Sequence, residues 1–358
     1  MISVVAGACA PVTTPDRSGG SVAPPALTFL SEWTRPSATV YPQLPDSAKF
    51  GSMSGLARDV VSGEWLGVID DRVGTRVAWL SIHAAGSQIE VSPLRLQYLK
   101  AGPGVEERIA TQADLEGVVA LPDGTFLMSE EGHRTRAGVW PPAILQVTRD
   151  GIVTGTIGYP AAFQISDDEK TGIRDNQGFE SLTRTPNGRI ITGLEQPTFD
   201  KPVTSTEQAG DGLLMEFEQR GQQWVPGRQW QYAISPTPTV PGFPTLCSDG
   251  ENGLVELLAL TETTLISMER ACWLNLKGEP ANTILIYAVT LSGNTARKAL
   301  LLDLSTIAPK LSPALATLDN FEGLAFGPMV GGRRSLIVMS DDNFRPRQKT
   351  SLLLFEMR

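Results

Sequence analysis

The sequence predicts an all-β protein, folded as a single β-propeller of four-stranded blades. The first observation is a recurring unit, in which a small or acidic residue begins a short apolar strand, followed by a turn and a second apolar strand that ends in acids. The lead positions of this unit are 54, 116, 180, 256 and 322, and such a recurrence is typical of repeat architectures. The second is an almost complete lack of helical periodicity. The third is a content of 35 Gly and 26 Pro, which indicates a chain rich in turns.

Each of the first four repeats contains four strand-like segments. They are rich in β-branched and aromatic residues and are bounded by Gly, Pro, Asn and Asp. One turn, Arg149-Asp150-Gly151, is of the kind that joins hairpin strands. The predicted strands are 54–58, 64–70, 75–82 and 88–99 in repeat one, 116–121, 125–130, 143–148 and 151–157 in repeat two, 180–184, 189–195, 212–218 and 223–233 in repeat three, and 256–260, 264–270, 283–289 and 299–304 in repeat four.

The fifth repeat is short of one strand. It has segments 322–326, 335–340 and 351–356 before the chain stops, whereas 27–33 is a strand-like run outside the repeats. An N-terminal strand that completes the last blade would close the ring and remove an exposed edge. This count predicts five blades, with a sixth in 196–250 as the alternative.

Two parts of the chain are predicted. Residues 27–358 form the propeller domain, and residues 1–26 form an export-like segment and a flexible tether. The stretch from Met1 to Cys9 resembles a bacterial lipoprotein cleavage box without its charged and apolar regions. If it is one, Cys9 carries a lipid anchor and the protein is secreted, periplasmic or membrane-anchored. If the N-terminus is complete and unprocessed, the protein is cytoplasmic.

The composition of the chain limits the classes of binding partner that are expected. The net charge of -9 disfavours nucleic acid and anionic membranes, and is compatible with cation binding or simply with solubility. No apolar run is long enough for a transmembrane helix. Beyond Cys9, Cys247 and Cys272 are either a disulfide pair or two buried thiols, and the two histidines, His83 and His133, do not have zinc-ligand spacing. We expect a monomer.

Acidic and basic residues recur at corresponding places in the repeats. In a propeller, the start of the innermost strand and the end of the second strand lie on the same face, so these residues should gather at one rim. Adjacent strand residues point to opposite faces, so only one member of each double acid should face the channel. The lead acids are Glu116, Glu180, Glu256 and Glu322, and the acids closing the second strands are Asp70, Asp71, Glu130, Glu131, Glu195, Glu269, Asp341 and Asp342.

A rim of carboxylates could supply the six to eight oxygen ligands that calcium prefers. The predicted metal ligands are Asp71, Glu116, Glu130, Glu180, Glu195, Glu256, Glu269, Glu322, Asp341 and Asp342. The predicted phosphate-binding residues are Arg72, Arg134, Arg270, Arg345 and Lys201, and the predicted catalytic residues are Glu131, His133 and Glu180. The alternative is structural, with Glu–Arg pairs that lock neighbouring blades together.

Several pieces of the chain resemble a known family. Asn176-Gln177-Gly178-Phe179-Glu180-Ser181-Leu182 and Ser340-Asp341-Asp342-Asn343-Phe344 are the most specific, and the likeness covers roughly residues 45–357. They resemble the phytase-like family called "esterase-like activity of phytase". The resemblance implies a β-propeller and a hydrolase of phosphate or carboxyl esters, often secreted or lipid-anchored.

Three functions follow as hypotheses. The first is a calcium-assisted phosphoesterase in which the rim acids bind metal and the arginines clamp phosphate. The second is a non-enzymatic binding propeller of the cell envelope. The third is a serine esterase with His133 as the base, which the sequence disfavours because Gly51-Ser52-Met53-Ser54-Gly55 has Met where the nucleophile elbow has Ser.

Overall fold

The computed structural model describes residues 24–37, 39–45, 49–136, 138–166, 169–248 and 250–358. The predicted lipid anchor at Cys9 and most of the predicted tether lie outside these residues. The described chain is almost entirely β-structure, which confirms the predicted all-β class. No helix in the described ranges has the length and apolarity needed to cross a membrane.

The elements of the first half of the chain alternate strands with short turns. The strands are β1 (Leu27–Pro36), β2 (Met53–Arg58), β3 (Trp65–Ile69), β4 (Arg76–Ala85), β5 (Gln88–Tyr98), β6 (Lys100–Ala101), β7 (Leu115–Ala120), β8 (Phe126–Glu130), β9 (His133–Thr135), β10 (Gly138–Trp140), β11 (Ala143–Val147), β12 (Ile152–Gly158), β13 (Phe179–Arg184) and β14 (Ile190–Leu194). Helix α1 (Glu107–Thr111) and a 3-10 turn (Ala161–Phe163) lie in the connections.

The second half continues the pattern with longer strands. They are β15 (Gly210–Arg220), β16 (Gln223–Ile234), β17 (Thr245–Leu246), β18 (Gly253–Ala259), β19 (Thr264–Leu274), β20 (Pro280–Ser292), β21 (Thr295–Asp303), β22 (Asn320–Phe326), β23 (Ser335–Asp341) and β24 (Lys349–Met357). Three 3-10 turns, Leu304–Thr306, Ala308–Lys310 and Pro313–Leu315, join β21 to β22.

Antiparallel pairing sorts the main strands into groups of four. These are β2-β3-β4-β5, β7-β8-β11-β12, β13-β14-β15-β16, β18-β19-β20-β21 and β22-β23-β24-β1. In the last group β1 pairs with β24, from Leu27 opposite Met357 to Pro36 opposite Lys349, as predicted for 27–33. Residues 196–250, the alternative location for a sixth blade, contain β15, β16 and the two-residue β17.

The innermost strands β2, β7, β13, β18 and β22 contact one another in cyclic order, and β22 returns to β2. Apolar side chains fill the space between each group and the next. For example, Trp79 of β4 and Phe126 of β8 meet edge to face at 5.9 Å between the first two groups. Because every sheet buries both faces against its neighbours, the core is distributed around the ring and the centre is left to polar residues.

Candidate functional site

A cavity of about 540 Å³ lies where the innermost strands begin and the second strands end. The side chains that line it come from every group of strands, and most of them are polar. Its lining includes the carboxylates Asp70, Glu116, Glu180, Glu195, Glu322 and Asp341, the cations Arg270 and Arg345, and the amides Asn176, Asn282, Asn320, Asn343 and Gln348.

A β-bulge in each innermost strand selects the residue that faces this centre. The register skips one residue between Phe179 and Ser181, one in each of β2, β18 and β22, and two in β7. A bulge leaves its extra residue out of the ladder and redirects the side chain. The residues skipped are Ser54, Glu116 together with Gly117, Glu180, Val255 and Glu322.

The glycine that follows the lead residue permits close contact between blades. A Cβ at Gly117 would lie 2.7 Å from the backbone nitrogen of Leu182 on β13, and one at Gly55 would lie 2.4 Å from the carbonyl oxygen of Glu116. These distances exclude any side chain. The Glu-Gly dipeptides of the sequence therefore combine a carboxylate for the centre with the space that the neighbouring inner strand needs.

The residues that close the second strands form another set around the cavity. Each directly follows the partner of the inner-strand residue that lies just before the bulge, as Glu195 follows Leu194, the partner of Phe179. By this register the set consists of Asp70, Glu131, Glu195, Arg270 and Asp341. The fourth repeat therefore contributes Val255 and Arg270, and the first contributes Ser54 and Asp70, whereas each of the other three contributes two acids.

Two groups of carboxylates lie close enough to share a cation. Asp70, Asp114 and Glu116 form one, and Glu116, Glu131 and Glu180 form the other, with ligand atoms within 4.8 Å of one another in each. Asp114 is 1% exposed, and its Oδ1 has no hydrogen-bond partner among the described residues. Its Oδ2 accepts a hydrogen bond from Nε of Arg72 at 2.7 Å.

Burial and mutual repulsion disfavour the ionised form of these acids. Burial raises the pKa of Glu116, and the charge of Asp70 adds to the effect. The pKa of Glu180 is raised in the same way, first by burial and then by the charge of Glu116. For Asp341, burial followed by the charge of Glu322 raises the pKa to about 8. The cavity therefore holds protons near neutral pH unless a cation replaces them.

Arg270 is the main internal counter-charge. Its guanidinium lies 3.1 Å from Glu195 and 3.2 Å from Glu322, and its side chain is 17% exposed. It also donates a hydrogen bond of 2.6 Å to Oδ1 of Asn320. Burial opposes its charge, but the carboxylates of Glu322 and Glu195 outweigh burial and raise its pKa. Arg270 thus offsets one of the two negative charges of Glu195 and Glu322, whereas the carboxylate triad around Glu180 forms no ion pair with an arginine among the described residues.

Arg345 is placed differently. It is exposed, it lines the cavity, and its guanidinium makes no ion pair or hydrogen bond within the part of the chain that the structure describes. Its backbone is fixed by hydrogen bonds to Asp342 and Gln348. A cation in this position can bind an anionic group that enters the cavity.

Some predicted ligands do not reach the cavity. The carboxylate of Asp71 pairs with Arg76 at 2.7 Å, and Asp70 takes its place at the centre. Asp342 accepts hydrogen bonds from the nitrogen of Ser52 (2.9 Å) and from the hydroxyl of Thr350 (2.6 Å), and Asp341 faces the cavity instead. One member of each double acid therefore faces the centre, as predicted, but for the first pair it is the other member.

Glu130, at the end of β8, and His133, at the start of β9, lie close together. Glu130 accepts hydrogen bonds from the backbone nitrogens of Asp114 and Gly132, and its Oε1 is 3.6 Å from Nδ1 of His133. The His133 ring is stacked on Trp140 at 5.4 Å. Burial raises the pKa of Glu130 to about 7. These two residues fasten the strand ends that carry Asp114 and Glu131, and the structure does not bring His133 to the cavity as a catalytic base.

Glu256 and Glu269 also bond elsewhere. Glu256 occupies the position that is Gly117 or Gly323 in other repeats, one residue beyond the bulge, and accepts from the backbone nitrogens of Leu182 and Leu257 at 3.3 and 2.8 Å. Glu269 is fully buried and accepts from the hydroxyl of Tyr232 and the side chain of Asn252. Both join neighbouring strands, but Glu256 does so by accepting from backbone N–H groups and Glu269 pairs with Lys298, so neither forms the predicted Glu–Arg pair.

Two of the predicted phosphate-binding residues lie apart from the cavity. Arg134 donates to the carbonyl of Ser166 at 2.6 Å. Lys201, 3.9 Å from Asp200, lines a separate open groove. Besides Asp70, Asp114 is an acid that the sequence-based site missed, although it directly precedes the lead strand of repeat two. Its ion pair with Arg72, 42 residues earlier, is visible only in the fold.

Cys247 and Cys272 form a disulfide, which resolves the choice that the sequence left open. Both residues line the cavity. The bond fastens the 235–252 connection to β19, two residues from Arg270, and the backbone nitrogen of Cys247 donates to the carbonyl of Cys272 at 2.9 Å. This part of the cavity wall is therefore covalently fixed.

The fold and the site together define a propeller-type protein with an acidic central cavity. The chain belongs to the phytase-like family described as "Esterase-like activity of phytase", whose model matches residues 48–344. The resemblance inferred from the sequence motifs is thereby confirmed. Among curated proteins, no match is found.

Solved structures with a related chain path are distant in sequence. A mannose phosphorylase from Leishmania mexicana is 10% identical, with 88% of each chain covered and a TM-score of 0.42. A putative glycoside hydrolase from Bacteroides ovatus is 13% identical over 93% of this chain and 96% of the other, with a TM-score of 0.44. Similarity at this level does not identify a reaction.

Proposed function

We propose that this protein is a phosphoesterase that uses a calcium-type cation held in the central cavity. The observation that carries the proposal is the meeting, in one cavity of about 540 Å³, of buried carboxylates from several blades with the uncommitted guanidinium of Arg345. Carboxylates suit the cation, and the guanidinium suits the phosphate group of a substrate.

The residues present fit a hard cation. The two carboxylate triads, which share Glu116, offer only oxygen atoms. Oxygen donors select calcium or magnesium over zinc or copper. The buried Oδ1 of Asp114 without a hydrogen-bond partner is the kind of atom that an ion satisfies. Asp70, Asp114, Glu116, Glu131 and Glu180 would hold it.

When bound, such a cation supplies Lewis acidity and lowers the pKa of a coordinated water. The chain's own groups would do the rest. Arg345 binds and orients the phosphate at the mouth, while Arg270 offsets part of the negative charge of Glu195 and Glu322. Burial raises the pKa of Glu131 and Glu180, so either carboxyl can carry a proton toward neutral pH.

The carboxyl-esterase alternative has less support. His133 is stacked on Trp140 beside Glu130. A serine–histidine hydrogen bond of 2.6 Å does join Ser81 to His83, but these two residues do not line the cavity. A nucleophilic serine would need a base within reach at the site.

A non-enzymatic binding propeller is favoured by one observation. The terminal nitrogens of Arg270 are engaged by Glu195, Glu322 and Asn320, so that side of the cavity already has protein partners without a ligand. In this alternative the cation stabilises the ring, and Arg345 captures an anionic ligand that is not cleaved.

We further infer five blades, because the inner strands contact one another cyclically and an apolar cluster fills each interface.

We also propose that the protein is exported. A disulfide such as Cys247–Cys272 persists in oxidising compartments. Fractionation of cells that express the full chain, with a Cys9→Ser control, would test export and the lipid anchor.

Calorimetric titration with calcium, followed by hydrolysis of a phosphomonoester panel, tests the function. We expect binding and turnover that are lost with chelator, and losses of at least tenfold in Glu180→Gln and Asp341→Asn. Glu216→Gln, a buried acid paired with Arg189 away from the cavity, is the matched control. Full activity in chelator would reject the metal role, and calcium binding without hydrolysis would favour the binding alternative.

A further inference from the structure

The cavity also contains neutral hydrogen-bond acceptors that nothing in the protein satisfies. Oδ1 of Asn282 and Oε1 of Gln348 are buried and have no hydrogen-bond partner among the described residues. Both side chains line the cavity, and they are 9% and 8% exposed. The orientation of Asn282 is fixed, because its Nδ2 donates to the carbonyl of Leu318 at 3.1 Å. Its Oδ1 therefore requires a donor from elsewhere.

The charge of the cavity limits how many phosphates a ligand can carry. Eight carboxylates lie in or against it, the six that line it together with Asp114 and Glu131, against the three guanidinium groups of Arg72, Arg270 and Arg345. Eight against three leaves a formal charge of -5 with every acid ionised. One divalent cation in each triad would still leave -1. No surplus of positive charge remains for a polyanion.

We propose that the substrate is a polyol or sugar that bears a single phosphate ester and free hydroxyl groups. This inference rests on the proposed phosphoesterase function and specifies its substrate class. Arg345 takes the phosphate, and the acceptors of Asn282 and Gln348 take hydroxyl donors of the same molecule. An ionised phosphate oxygen cannot satisfy these acceptors, because it carries no hydrogen to donate. A fully phosphorylated polyol has no hydroxyl to offer and too many charges.

The test compares three substrates with the calcium-loaded protein. They are glucose 6-phosphate, phenyl phosphate, which has no hydroxyl groups, and inositol hexakisphosphate. We expect kcat/KM for glucose 6-phosphate to exceed that for the hexakisphosphate at least tenfold. Gln348→Met, which keeps the length of the side chain but removes the acceptor, should lower kcat/KM for glucose 6-phosphate about fivefold and leave phenyl phosphate within twofold. Gln88→Met, on an exposed strand end, is the control.

Each outcome decides the proposal. A preference for the hexakisphosphate, or equal losses on glucose 6-phosphate and phenyl phosphate in Gln348→Met, would overturn the substrate class and leave the phosphoesterase function standing. If none of the three is cleaved, the proposed function fails. Saturation-transfer NMR with glucose then decides this inference. If glucose binds and Gln348→Met weakens the binding, the hydroxyl contact is supported. If glucose does not bind, the contact is refuted.

Discussion

Replacing Arg270 by Met tests whether the cavity stores uncompensated negative charge. Met has a similar length and no charge, so the change leaves Glu195 and Glu322 without their shared partner at 3.1 and 3.2 Å. Removing one partner of a buried ion pair costs about 3–5 kcal/mol. Since the Arg270 side chain is 17% exposed, we expect a loss at the lower end, about 3 kcal/mol in the free energy of unfolding.

Urea denaturation with chelator present measures this loss. Burial raises the pKa of Glu322 in the folded state, and the charge of Arg270 limits that rise. Without Arg270 the pKa of Glu322 rises further, so the folded state is destabilised more as the pH rises and the acid loses its proton. The difference in the free energy of unfolding between variant and wild type should therefore grow between pH 6 and pH 8. Calcium should restore part of the stability by binding the folded state. Arg333→Met, at a pair in which the arginine is 51% exposed, should cost less than about 1 kcal/mol. A loss at Arg270 no larger than at Arg333 would refute the reasoning.

Four further results are expected. Because the pKa of Asp341 is raised to about 8, the folded protein holds a proton that the unfolded chain releases near pH 4, and this contribution to stability falls as pH rises from about 4 to 8. With chelator present, the melting temperature should therefore drop by roughly 3–5 °C between pH 6 and 8. The drop should be smaller in Asp341→Asn. Glu256→Ala should cost about 2–4 kcal/mol in urea denaturation by leaving buried backbone donors unpaired, whereas Glu256→Gln should cost under about 1 kcal/mol. Arg345→Gln should raise KM for a phosphomonoester roughly tenfold with little change in kcat, and an unchanged KM would remove Arg345 from the site. Replacing both Cys247 and Cys272 by Ser should lower the free energy of unfolding by about 3 kcal/mol, since the bond closes a loop of separation 25.

The sequence predicts the strands well because its signals are local. Turn residues and alternating apolar runs mark every blade, and the observed bounds differ by a few residues, as for β13 at Phe179–Arg184 against the predicted 180–184. The strand that completes the last blade also follows from the sequence, since the fifth repeat lacks one strand and the N-terminal part has one outside the repeats. The family motifs around Phe179 and Asp341 carry the identification of the family.

The site was only partly predictable from the sequence. Which side chains reach the cavity depends on the strand register around each bulge. Glu116, Glu180, Glu195, Glu322 and Asp341 reach the cavity as expected, but a shift of one residue relative to the bulge turns Glu256 into a link between strands.

The sequence by itself determined the β class, the repeat and the gathering of acids at one rim, since these depend on residue type and spacing along the chain. Only the tertiary structure decided which acid of each pair faces the centre, that Asp114 joins them, and that Asn282 and Gln348 keep free acceptors there. The physical reason is that a bulge, a shared guanidinium and a buried unpaired oxygen arise from contacts between strands that are tens to hundreds of residues apart.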